Sequence, residues 1–339
     1  MKPYAVPASF FGMVLGIVGL GSAWRDAVRL WHLPSAVAET IMFVGAAVWV
    51  VVLLLYGAKW NWARDQARAE FEHPIQCCFI GLAPISTLLM AAVVLPYSRG
   101  AALGLFFVGA VGQLAFGVYR TGRLWQGGGD PAAVTAVLYL PAVAGSFVTT
   151  IVAGALGFFE LGRLFFGAGI FSWLALESII VRRFYLEPPM PPLLRPGYGI
   201  QLAPPAVGAV AYLSITAGPA DWFVEALLGY GLFQALVLAR LVPWITRQPF
   251  APSYWAFTFG VAATATAALR LVERGLDDTG FVALAAGLFV IANIVIVGVA
   301  TGTVWLLVRG QLLPARPSLN APRPSSHPQK GSVGVKTGA

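Results

Sequence analysis

The chain has 339 residues, of which 58% are hydrophobic and 11% charged, with a formal net charge of +8. A soluble protein of this size carries about a quarter charged residues, so a water-soluble globular fold is excluded. Two adjacent cysteines, Cys77 and Cys78, and three scattered histidines supply neither a disulfide framework nor a metal-ligand cluster, and no cofactor is expected.

Apolar runs long enough to cross a bilayer, about 20 residues each, recur along the whole chain. Ten are read, near residues 5–24, 37–57, 75–95, 101–119, 136–157, 161–181, 200–217, 222–241, 253–270 and 281–308. The pattern predicts an all-α integral membrane protein whose transmembrane domain spans residues 1–313. Residues 314–339, with PARPSLNAPRPSSHPQKG, read as a basic Pro/Ser-rich tail without fixed structure. An even span number places both termini on one side. The N-terminus, the C-terminus and the loops after spans 2, 4, 6 and 8 hold 16 of the 22 Lys and Arg residues. The positive-inside rule then puts both termini in the cytoplasm of a cell whose inner membrane the chain crosses. The net charge is mostly this orientation signal, so nucleic acid is not an expected partner.

Basic residues close each even span at intervals of about 60 residues: Lys59, Arg123, Arg182, Arg240 and Arg309. Two-span repeats keep their orientation and are related by an axis along the membrane normal. Five such hairpins predict a quasi-five-fold ring. The odd spans carry prolines and many Gly, Ser and Thr residues, whereas the even spans carry no proline and are rich in Val, Leu, Ile and Phe. Kinked odd helices are therefore expected around the axis and greasy even helices against lipid. The competing reading of the small residues is tight helix packing.

In the ninth span, SYWAFTFGVAATATAAL (253–269), one ring stands on a small-residue face: Phe259 is followed at helical offsets by Ala262, Ala263 and Thr266. This stretch, with PASFFGMVLGIVGLGSAWR at 7–25, resembles the tellurite-resistance/dicarboxylate transporter family, which takes in bacterial TehA proteins and plant slow-type anion channels. The resemblance runs from about residue 5 to 310. It implies five helical hairpins around a central pore in each subunit, a homotrimer, and a pore gate at Phe259. The plant channels have a proline directly after that phenylalanine; here it is Gly260, so a bend at this point would rest on glycine.

The pore lining expected under this reading is Ser9 and Gly12; Pro84, Ser86 and Thr87; Pro141, Gly145, Ser146 and Thr149; Pro204 and Gly208; and Gly260, Ala263 and Thr266. No charge falls in the central stretches of the odd spans, which argues against tight, stoichiometric binding. Lys59, Arg120, Arg123, Arg182 and Arg240 are expected to make a positive cytoplasmic vestibule, with hydroxyl dipoles adding to it. An anion channel for small inorganic or organic anions follows. The alternative is a proton-coupled C4-dicarboxylate carrier or a sulfite or tellurite exporter, which needs a titratable group, Glu177 or Glu39. No nucleophile or metal constellation suggests an enzyme.

Overall fold

The computed structural model describes residues 5–313, all helical or connecting, with no strand among them. The tail 314–339 lies outside the described residues. In chain order the helices are α1 (Phe11–Trp31), α2 (Ser35–Trp62), α3 (Arg64–Glu72), α4 (Leu82–Val94), α5 (Arg99–Trp125), α6 (Gly145–Leu156), α7 (Phe159–Leu186), α8 (Ala203–Ile215), α9 (Trp222–Ile245), α10 (Thr258–Glu273) and α11 (Thr279–Val308).

Among the described residues, nine helical segments are long and apolar enough to cross a membrane, against ten read from the sequence. The seventh run is the exception. Its α-helix, α8, has 13 residues behind an 11-residue 3-10 stretch, Pro192–Leu202. The lead-in PLLRPGYG is too rich in Pro, Gly and Arg to count as an apolar span. Other boundaries moved too: α2, α5 and α7 end at Trp62, Trp125 and Leu186, beyond the expected spans. The first helix continues through the expected 25–36 loop to Trp31, and α9 runs on to Ile245, taking Pro243 into its last turn. A proline there removes only a local bond and ends the helix soon after.

The hairpin partners pack as neighbours: α1 on α2, α4 on α5, α6 on α7, α8 on α9 and α10 on α11. The first helix of each hairpin also packs on the next, α1 on α4, α4 on α6, α6 on α8 and α8 on α10, and α10 returns to α1. Contacts therefore close on themselves. The second helices bridge successive hairpins from outside, so that α2 meets α4, α5 meets α6, α7 meets α8, α9 meets α10 and α11 meets α1.

Burial separates the two sets. The α1, α4, α6 and α10 spans are 67–83% buried, the second helices 17–33%. Leu54, Val108, Leu164, Phe171, Leu236 and Ile294 stand exposed on the second helices. Helices apolar on every side belong where lipid covers them.

The inner helices start differently from the outer ones. Four are preceded by 3-10 turns, at Ala8–Phe10, Gln76–Gly81, Pro192–Leu202 and Pro252–Phe257. The fifth, α6, follows a 3-10 turn at Ala136–Leu138 and a π-turn at Leu140–Ala144 that contains Pro141. Proline lacks an N–H and has a fixed φ, which suits a first turn but disturbs the regular ladder further in.

Where the inner helices cross, glycine lets backbones touch. A Cβ on Gly16 of α1 would sit 2.1 Å from Thr258 Oγ1 of α10, and one on Gly154 of α6 would sit 2.1 Å from the Ser214 carbonyl oxygen of α8. Much of the small-residue signal in the odd spans is thus close packing.

Candidate functional site

The 3-10 turns and first turns of all five inner helices wall one cavity of about 200 Å³. Ser9, Gly12 and Leu15 come from the first hairpin, Phe79 and Leu82 from the second, and Thr135, Tyr139, Val143 and Phe147 from the third. Ile200, Pro204 and Val207 come from the fourth, and Trp255, Ala256 and Phe259 from the fifth. Among the described residues, no Asp, Glu, Lys or Arg lies on this wall. Polarity is confined to a few groups, among them Thr135, whose Oγ1 is buried without a partner. Five helix N-termini, the ends that carry partial positive charge, converge on an apolar chamber.

Phe259 is half-buried and forms part of this wall. Its ring edge lies against α1, where a Cβ on Gly19 would be 3.3 Å from Phe259 Cδ2. Further along the same helix face, Ala263 and Thr266 are buried. Phe147 of α6 is a second ring on the wall, fully buried and packed against Gly208. No bend occurs at Gly260: α10 runs unbroken from Thr258, and the change from 3-10 to α geometry falls before it. Gly260 serves close approach instead, since a Cβ there would be 3.0 Å from Ala203 N.

Of the other residues expected to line a path, Ser9, Gly12 and Pro204 lie on the cavity wall with Phe259. Pro84, Pro141 and Gly145 face α5: Pro84 Cβ is 3.1 Å from a Cβ on Gly112, the Pro141 carbonyl faces Gly117, and Gly145 abuts Gln113. Ser86, Thr87, Ser146 and Thr149 are buried deeper. Several hydroxyls donate to carbonyls of their own helix, as Thr149 to Gly145 O (2.8 Å), Thr266 to Ala262 O (3.0 Å), and Ser86 and Thr87 to Ala83 O. A hydroxyl has one proton, so these have none left for an anion. The expected contribution of hydroxyl dipoles falls away at these positions.

The basic residues expected around a vestibule are not on the cavity wall. Lys59 is buried and bonded to Glu70 at 2.7 Å. Glu70 also accepts from Ala8 N (2.8 Å) and Tyr56 OH (3.3 Å), which ties the start of α1 to α3. That pairing corrects the reading of Lys59 as a free charge. It was hidden because the backbone turns at Ala63 (φ −137) and brings α3 back onto α2. Arg120 donates to Pro74 O (2.7 Å) and, with Arg123, borders a second cavity that includes Cys77 and Glu72. Arg182 and Arg240 are exposed.

The two carboxylates considered for proton coupling are both engaged. Glu39 takes a bidentate pair from Arg25 (2.8 and 2.7 Å) and a bond from Tyr97. Glu177 of α7 accepts from Trp173 (3.0 Å), Gln201 (2.9 Å), Tyr230 (2.8 Å) and the Tyr139 hydroxyl. It joins the third and fourth hairpins. Sequence reading missed this hub because its donors are scattered over 90 positions with no shared spacing. At the opposite end of the inner helices from the cavity lies a second charged group, in which Arg270 bonds Asp26 at 2.8 Å.

Residues 5–304 match the model of the SLAC1 family, described as a voltage-dependent anion channel. The chain belongs to this family. It is 34% identical over 312 residues to a tellurite resistance protein TehA homolog of Haemophilus influenzae, covering 91% of this chain and 93% of that protein. It is 24% identical to the S-type anion channel SLAH3 of Arabidopsis thaliana over 273 residues, 78% of this chain and 42% of that one. The guard cell S-type anion channel SLAC1 of the same plant is 22% identical, with 79% and 50% covered. The chain thus spans about half the length of these plant relatives. Members of the SLAC1 family are anion channels and transporters, not enzymes, and this membrane protein is an anion-transport protein.

Proposed function

We propose that the chain is an anion channel, with a path along the axis of its five inner helices that the Phe259 ring closes at rest. The observation that carries this reading is the cavity wall. All five inner helices contribute their N-terminal turns to one chamber free of acidic side chains. Helix N-termini favour negative charge, and the low-dielectric wall strengthens their effect. An apolar, weakly coordinating chamber also lets an anion leave, as conduction requires. Nothing in the wall matches a particular anion, so the substrate class is small anions selected by charge and by the cost of shedding water. In this reading the cyclic contacts of the inner helices form a quasi-five-fold ring around a pore. In the same reading the cavity and both termini lie on the cytoplasmic side of the cell membrane, which the positive-inside pattern supports, and the chain assembles as a homotrimer, as the family resemblance implies.

The carrier alternative has less support. Glu177 is held by five side chains and Glu39 by an arginine and a tyrosine, which suits structural ties better than mobile proton carriers.

The test is Phe259→Ala in a planar bilayer. Its anion conductance is expected to rise at least about tenfold, a barrier change of about 1.4 kcal/mol, and to reverse at the anion equilibrium potential. Phe257→Ala is not expected to conduct, because that ring packs on Gly199 and stacks with Tyr254. A Phe259→Ala variant that assembles and stays silent overturns the gate.

A further inference from the structure

The end of the inner helices opposite the cavity holds a charged group that the proposed function leaves unused. Its members lie on the continuation of the cavity wall. On α10, Phe259 is followed at offsets of four, seven and eleven by Ala263, Thr266 and Arg270. On α1, Leu15 of the wall is followed at the same offsets by Gly19, Ser22 and Asp26. On α8, Val207 of the wall leads at offset seven to Ser214. At 3.6 residues per turn these offsets stay within roughly 40° of one direction. Three wall stripes thus end in Arg270, Asp26 and Ser214.

Those three are bonded to each other. Arg270 Nε donates to Asp26 Oδ2 at 2.8 Å and its NH1 donates to Ser214 Oγ at 3.0 Å. Ser214 passes its own proton to Val210 O (2.7 Å), so it orients the guanidinium and offers nothing to an anion. Asp26 is 2% exposed and takes a second bond from Arg29 at 2.6 Å. Arg29 also reaches Glu273 at 3.3 Å. Two guanidinium groups and two carboxylates cancel, and Arg274 beside them donates to the Thr216 carbonyl at 2.6 Å.

We propose that Arg270 is a binding site for one small anion at the far end of the path, and that the Asp26 carboxylate is its tethered occupant. The inference rests on the pathway reading above. A carboxylate and a planar oxyanion such as nitrate present the same oxygen edge to a guanidinium. An anion arriving along the α10 stripe meets Arg270 and competes with Asp26 for it, while Arg29 retains the displaced carboxylate. The competitor keeps the site neutral at rest and its hold on the anion weak, which conduction requires.

The test uses the full-length chain purified in detergent, with its thermal midpoint compared in sodium nitrate and sodium gluconate at equal ionic strength. Asp26→Asn leaves Arg270 without its carboxylate. About 100 mM nitrate should raise its midpoint by roughly 4 °C or more through binding to the folded state alone. Wild type and Asp26→Glu should show no such difference, and Asp26→Asn/Arg270→Gln should lose it. If Asp26→Asn is recovered only from nitrate, the rescue supports the site. Equal loss in both salts, or a nitrate effect that survives in the double variant, overturns it. A flux arm separates this proposal from the channel reading. In a conducting Phe259→Ala background, Asp26→Asn should lower the half-saturating nitrate concentration at least about threefold, since removing a competitor raises apparent affinity. Silence of Phe259→Ala would sink the channel and leave the thermal arm to decide the site. A conducting background in which Asp26→Asn shifts neither readout sinks the site alone.

Discussion

The two ends of the inner helices handle charge in opposite ways. At the cavity end the helices begin in 3-10 turns, and among the described residues the wall carries no charged side chain. A buried ion pair nearby, Lys59–Glu70, stands behind the wall and seals α3 onto the start of α1. At the other end the helices finish in regular α geometry beside the pair Arg25–Glu39 and a linked set, Arg29–Asp26–Arg270 with Arg29–Glu273. Backbone dipoles are the source of positive potential at one end, and balanced side chains carry the charge at the other. A lone buried pair fails when one member is removed, whereas a lattice shares the loss.

That contrast is sharpened first by Glu70→Gln. It leaves Lys59 buried without its carboxylate, and breaking a buried pair costs about 3–5 kcal/mol. Thermal unfolding should show a far larger drop than for Glu273→Gln, whose partner Arg29 is half-exposed and keeps Asp26. Equal drops would erase the distinction. Next comes Ser9→Asp, which puts a carboxylate into the uncharged chamber. Two unit charges about 6 Å apart repel by roughly 3 kcal/mol at an effective dielectric of 20. Anion flux through a Phe259→Ala pore should therefore fall at least about tenfold, and unchanged flux would place the path elsewhere.

Gly154→Ala should cost about 1–3 kcal/mol, the usual range for overpacking. Its new methyl would meet the Ser214 carbonyl, a backbone atom that cannot swing aside. The smallest effect is expected from Arg182→Gln/Arg240→Gln. Both residues are exposed, so conductance should change less than about twofold at 0.15 M salt, where the Debye length is about 8 Å, and more at 0.01 M, where it is about 30 Å. A large change at high salt would mean that exposed arginines, not helix ends, attract the anion.

Helical class, hairpin repeat and inner-versus-outer assignment were legible because each rests on composition and spacing. VWVVVLLLY at 48–56 is apolar on every face, and the prolines cluster at the starts of the first members of the hairpins. The position of Phe259 on a small-residue face was legible too. The partners of the small residues were not. Gly145 meets Gln113 and Gly199 meets Phe257, and no single-chain pattern distinguishes a glycine that opens a chamber from one that admits a neighbour. Glu70 was illegible for a related reason: it reaches Lys59 only after the chain reverses at Ala63. Arg270 lay in plain view but counted only as one of the six basic residues outside the cytoplasmic loops, and Asp26 drew no reading. Extending the Phe259 stripe by one more turn would have drawn attention to Arg270.

The contact between α1 and α10 also sets a schedule for biogenesis. Gly16 and Gly19 of α1 are matched to Thr258, Phe259 and Ala262 of α10, which the ribosome reaches only some 240 residues later. At about 5–20 residues per second that interval is roughly 12–50 s. During it the first helix sits in the membrane with its glycine face uncovered, available to lipid or to the wrong helix. The last seam to close is therefore the one joining the oldest helix to one of the youngest, and a chain truncated before residue 258 is born with an open side.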